Sequence, residues 1–290
     1  TVTAGFHQDA RHDFNRRRSQ GVAGYYQKTH TDLGPQSLSE ALLEPAVVAG
    51  TIVVPDTVVS RVVVERGRAI GVELLREGTR KVIRADRAVL VAATPVRAAQ
   101  ILQLSGLGPA DVLRAAGIAV VADLPGVGRN LHAQVRLPVR WRATDAALAL
   151  SASTVTAGMF TVSLSASPPD LQMDLIDPRA ARGPWTGIDV TLVQPHSRGV
   201  VRVRSTDPNA APAVDASALA DAADVRALVQ GVRLARLVME GTALDRLRTV
   251  ERDDTRGASS QAALESLVRA VARETSDAAG TCALGPEGDR

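Results

Sequence analysis

The chain has 290 residues, 45% of them apolar, which is enough to fill one large domain or two. Aromatics make up only 2%, so the core must rest on Val, Leu, Ile and Ala, and a single cysteine, Cys282, excludes an intrachain disulfide framework or a thiolate metal site. The net charge of +3 does not point to nucleic acid, because arginines alternate with Asp and Glu throughout and the one dense basic cluster, Arg16 to Arg18, has no aromatics between its charges.

The histidines at 7, 12, 30, 132 and 196 lack ligand spacing, so no metal site is expected. No stretch is long and apolar enough to span a bilayer and no signal peptide is visible, so the expectation is a cytoplasmic protein without a membrane partner.

In chain order, residues 1–40 are polar and turn-rich, and a short helix is expected over 37–45, stopped by Pro45. Residues 58–64, 69–75 and 80–83 read as an antiparallel meander with turns at Glu65-Arg66-Gly67 and Glu77-Gly78. The apolar run 88–93 reads as a strand buried on both faces. Helical periodicity covers 96–104, and a second helix starts at Pro109 and ends at Gly117. A short strand is expected over 118–121, followed by the glycine-punctuated turn 124–130.

Residues 143–168, rich in Ser, Thr and Ala, give no assignment. Strands are expected over 171–176, 188–193 and 200–204, the last two joined as a hairpin across 194–199. Asp221 should cap a helix running to about 240 and Ser260 one running to about 274. Strands in a run followed by helices argue for an α+β layer.

The run from Gln100 through Leu104-Ser-Gly-Leu-Gly-Pro109 and Ala116-Gly117-Ile118 to Leu124-Pro-Gly-Val-Gly-Arg-Asn-Leu131 resembles the second signature region of the glucose–methanol–choline (GMC) oxidoreductase family. Segments on either side are similar to the family in order and spacing: Asp13-Phe14-Asn15, Gly24-Tyr25-Tyr26-Gln27, the pattern of Ser37, Ala41, Leu43 and Pro45, then Pro195-His196-Ser197-Arg198-Gly199 and Gly280-Thr281-Cys282.

The resemblance implies an α+β or α/β fold: a partial FAD-binding domain plus a substrate domain of antiparallel sheet and helices. Residues 1–50 would be a connecting and substrate-domain segment, 51–135 the partial FAD-binding domain, 136–275 the substrate domain and 276–290 the return to the FAD domain. It implies FAD as cofactor, a small-molecule alcohol as substrate and hydride transfer to the flavin. By resemblance, the backbone of Val59 contacts the adenine, and Gly126, Val127, Gly128 and Asn130 lie close to the cofactor. Asp277 stands at the position of the family's catalytic histidine.

The sequence also departs from the family. No Gly-x-Gly-x-x-Gly follows a strand and opens a helix, so the pyrophosphate loop is not in this segment. Thr94, Ala98 and Ala99 replace Gly, Ser and Pro, while Ala133 and Gln134 replace the Asp and His that follow Asn-Leu-x; His132 beside them would point to the other face if displaced by one position. The expectation is therefore an incomplete or inactive oxidoreductase segment. The alternatives are a non-catalytic or split-subunit domain, completed by a second chain, and a flavin-containing lyase of the same family.

Overall fold

The computed structural model describes residues 7–8, 13–14, 21–27, 29–31, 34–150, 157–163, 168–178 and 183–283. The chain divides into two compact units, one of residues 1–27, 133–197 and 217–277 (the sheet unit) and one of residues 28–132, 198–216 and 278–290 (the glycine-rich unit).

In the glycine-rich unit, a five-residue π-helix, Ser39–Leu43, runs into the α-helix Glu44–Val48. Pro45 therefore does not stop the helix as expected. It falls in the first turn of the α segment, directly after the wider π turn, and the helical run continues through it. Three strands then form the expected antiparallel meander: Val58–Glu65, Arg68–Arg76 and Thr79–Arg84. Positive φ at both central residues of each turn, Arg66-Gly67 and Glu77-Gly78, gives the twist that two-residue hairpins need.

Helix Pro95–Leu104 opens on proline, and Ser105 at its C-terminus accepts a hydrogen bond from Val62 N (2.8 Å), which seats the meander on the helix. Gly106 turns the chain with φ +77°, where a Cβ would lie 2.5 Å from Ala119 O. Helix Ala110–Ala115 is capped from outside by Asp123, whose Oδ1 accepts from Ala110 N at 3.0 Å.

Two strand expectations fail here. Residues 118–121 are not a strand; the pairing falls on Ala122–Asp123, parallel to Leu107–Gly108. The run 88–93 forms no strand, and Leu90 is 89% exposed, because among the described residues no strand lies beside it.

The sheet unit is built on an antiparallel sheet whose central members are Ala157–Thr161, Leu171–Ile176, Trp185–Leu192 and His132–Ala143, paired in that order. Strict alternation puts Ala133, Val135, Leu137, Val139, Trp141 and Ala143 on one face. That face packs against helices Ala222–Met239 and Gln261–Val271, with Leu228, Val232, Leu264 and Val268 fully buried in the shared core.

Both helix starts are as expected: Asp221 accepts from Ala223 N and Ser260 from Ala263 N. The second helix ends at Val271 rather than near 274, where the Arg273 guanidinium donates to the carbonyls of Ala270 and Ala272, and strand Arg273–Ala279 follows.

The hairpin expected across 194–199 is absent. Strand Trp185–Leu192 pairs within the large sheet, while Val200–Arg202 pairs with Ala213–Asp215. Asp224 diverts the chain by accepting from the amides of His196 (2.7 Å) and Ser197 (2.9 Å). Residues 198–216 consequently join the glycine-rich unit, so the stretch 136–275 is not one body.

Candidate functional site

The predicted turn and the closing motif meet in the glycine-rich unit. Gly128 N donates to Thr281 O (2.8 Å), the hydroxyl of Thr281 donates to Pro95 O (2.8 Å), and Asn130 Nδ2 donates to Gly280 O (3.4 Å). The fit is tight, since a Cβ on Gly280 would stand 2.3 Å from Asn130 O. Asn130 itself takes a left-handed φ of +61°, a conformation that asparagine tolerates better than most residues. Its Oδ1 lies 3.0 Å from Nε2 of His132. Reciprocal amide bonds between Leu131 and Gly199 bring Arg198 alongside. Burial, and secondly the charge of Arg198, hold the imidazole pKa of His132 below its ordinary value.

Gln103 is the hub that sequence reasoning missed. Fully buried on helix Pro95–Leu104, it donates through Nε2 to Val127 O (3.2 Å) and Val201 O (2.9 Å) and accepts through Oε1 from Val203 N (2.8 Å). This changes the reading of the two glycines. A Cβ on Gly128 would stand 2.2 Å from Gln103 Nε2 and 2.3 Å from Val201 O, so its bare Cα admits the protein's own groups. A Cβ on Gly126 would meet nothing within 4 Å, so of the two glycines this one stays open to an approaching molecule. Val127 is buried beneath the turn.

Val59 lies on the meander, on the strand that Ser105 ties to the same helix that carries Gln103. The register slips between Val59 and Arg61, which marks a bulge at Ser60. Ser60 is 3% exposed, and its hydroxyl has no hydrogen-bond partner among the described residues. A buried, unsatisfied hydroxyl next to Val59 fits the polar edge of an adenine-like group. The residues present thus fit one end of a flavin dinucleotide, while the glycine loop for its pyrophosphate is not in the sequence.

Asp277 is exposed on strand Arg273–Ala279, with its amide donating to its neighbour Thr275 Oγ1 (3.1 Å). It is not a helix terminus. Among the described residues, no cluster of three or more His, Cys, Asp or Glu side chains could hold a metal ion, and no helix is long and apolar enough to cross a membrane.

In the sheet unit, the face away from the helices carries a second polar group. Tyr26 donates to Asp174 Oδ1 (2.5 Å), Gln172 donates to both Asp174 oxygens, and Asp174 sits directly across the strand pair from Asp189. Burial first, then the bond to Asp174, pushes the Tyr26 hydroxyl pKa far up.

Comparison with known proteins matches the GMC oxidoreductase model in two parts, an N-terminal part over residues 2–136 and a C-terminal part over residues 195–290. An oxygen-dependent choline dehydrogenase of Rhizobium etli is 28% identical, with 99% of this chain and 57% of that protein aligned. One of Burkholderia cenocepacia is 29% identical over 94% of this chain and 54% of its own.

Two solved structures superpose with a TM-score of 0.84 over 99% of this chain. They are pyridoxine 4-oxidase from Mesorbium loti (19% identity, 58% of that chain) and an FAD-dependent oxidoreductase from Chaetomium thermophilum (18% identity, 62%), and at such identity they speak for the fold. The chain thus spans little more than half the length of the curated relatives it matches.

Proposed function

We propose, for a chain that belongs to the GMC oxidoreductase family, a part in the FAD-dependent oxidation of small-molecule alcohols. The observation that carries this reading is the docking of Gly280-Thr281 onto the Gly128–Asn130 turn, which joins the family's closing motif to its signature turn. Within the flavin site, Val59 through its backbone and Ser60 through its hydroxyl hold the adenine end, and the open Gly126 faces the cofactor. Bound flavin supplies the two-electron acceptor for hydride. The chain's own groups orient the substrate and handle its hydroxyl proton. Asp277, the counterpart of the family's histidine, is an exposed carboxylate on its strand.

A second polypeptide, or a further part of the same one, completes the dinucleotide site. Apolar side chains left in water support this: Ile52 at 86% and Leu90 at 89% exposure, with Val53, Val54 and Val91 beside them in sequence. The test is to purify the chain alone and with the part of the R. etli relative outside the match supplied as a separate polypeptide. The expected result is a colourless chain alone and a yellow complex that is bleached by alcohols under anaerobic conditions. A complex that takes up no flavin refutes the proposal.

A further inference from the structure

We propose that the sheet unit carries a binding site of its own for an uncharged, hydrocarbon-like molecule about the size of a substituted benzene ring. The site is a cavity of about 210 Å³ at one edge of the large sheet, on the face that packs against the helices. Register and alternation assemble its floor: Met159 stands opposite Met173, and Ala157 opposite Tyr25 on strand Val22–Tyr25, so all four share that face. The wall is Val238, in the last turn of helix Ala222–Met239, and Leu244, in the short turn that follows. An apolar cavity of roughly 150 Å³ stays dry and admits benzene, so this one has room for a ring with a short substituent.

The lining decides the ligand's chemistry. Among the described residues, no charged or amide side chain borders the cavity. Strand Ala157–Thr161 is paired on both sides, so the ladders take up its backbone donors and acceptors. A charged or strongly polar molecule would lose its water there with nothing in return. Two methionines in the floor suit an apolar guest, because the thioether side chain is polarisable and adapts its shape.

Access and size also point to a small molecule. The floor is buried, with Met173 at 0% and Met159 at 6% exposure, while Tyr25 and Leu175 at the mouth are 49% and 46% exposed, so a guest enters from solvent. Two exposed lining side chains fall far short of the roughly 1,000 Å² that a stable protein interface buries. The space exists because helix Ala222–Met239 stops at this edge and because Ala157 is small. A larger side chain at 157 would therefore fill it.

The chain has three methionines, and the third, Met239, lies in the core away from the cavity, so methyl spectra carry their own control. The whole chain, labelled with ¹³C at the methionine methyls, is titrated with toluene, which has no hydroxyl to be oxidised. The Met159 and Met173 signals should move saturably, half-way at about 0.1–1 mM, while Met239 moves little. Benzoate, the same ring with a charge, should leave all three in place. Ala157→Leu should weaken binding at least tenfold, and so should Leu175→Glu, which sets a charge at the mouth; if one variant fails to fold, the other decides. No saturable shift up to the solubility of toluene overturns the proposal, and so does an equal response to benzoate or in the folded variants. Shifts of the same two methyls on raising protein concentration without toluene also overturn it, since the cavity would then hold a second copy of the chain.

Discussion

Replacing Gln103 by methionine tests the architecture of the glycine-rich unit, because the two side chains are similar in length and volume. The substitution leaves no cavity but removes three hydrogen bonds from a fully buried position, those to Val127 O, Val201 O and from Val203 N. At about 1–1.5 kcal/mol for each bond, and with no water to replace them, the unit should lose about 3–4 kcal/mol of stability. Urea denaturation gives the overall change, and amide exchange at Val203 gives the local one, which should accelerate even where the rest of the fold stays protected. A loss under about 1 kcal/mol, with Val203 still protected, refutes the idea that Gln103 ties the turn to residues 201–203.

The paired glycines should separate cleanly: Gly128→Ala costs more than about 2 kcal/mol, because φ is +83° and its Cβ meets Gln103 and Val201, whereas Gly126→Ala stays within about 0.5 kcal/mol. Thermal denaturation of both variants checks this. Asp224→Ala, which orphans the amides of His196 and Ser197 beside a buried carboxylate site, should cost about 3–5 kcal/mol by the same measurement.

Burial, aided by Asp174 and opposed by Arg136 and Arg140, raises the pKa of Asp189. A raised carboxyl contributes stability below the ordinary pKa of about 3.9 and loses that contribution as pH rises through the raised value. Asp189→Asn should therefore raise the melting temperature at neutral pH and not under acid conditions, and an equal gain at both refutes the assignment. Asp277→His, on an exposed strand, should leave the melting temperature within about 1 °C, since surface changes of this kind are small.

What the sequence made legible was local. The signature run 100–131 could be read because its turns depend on glycines whose roles follow from neighbouring residues: Gly106 at the helix junction, Gly117 past a helix end. The meander was legible for the same reason, through Arg66-Gly67 and Glu77-Gly78. Strand His132–Ala143 alternates strictly, yet Pro138 at its centre argues against a central strand and masked it.

The failures depend on distant partners. Nothing near 194–199 reveals that Asp224 will capture its amides, and nothing within 88–93 tells whether neighbouring strands exist to bury it. In the site, the 126–130 turn and the closing motif could be picked out from their glycines, but the packing of Gly128 depended on Gln103 and Val201. The pairing of Asn130 with His132 depended on which way a strand side chain projects.

The division of the chain into units has a consequence for how the molecule forms. The backbone passes from one unit to the other after residues 27, 132, 197, 216 and 277, so neither can be cut out as a single stretch. The contact between Asn130 and Gly280 joins positions 150 residues apart, and closing such a loop costs on the order of 4 kcal/mol of chain entropy. Residues 280–282 also leave the ribosome after everything they dock onto. The turn that Gly280 and Thr281 close is therefore finished last, and a chain halted just before Gly280 would hold nearly all of its fold without that closure.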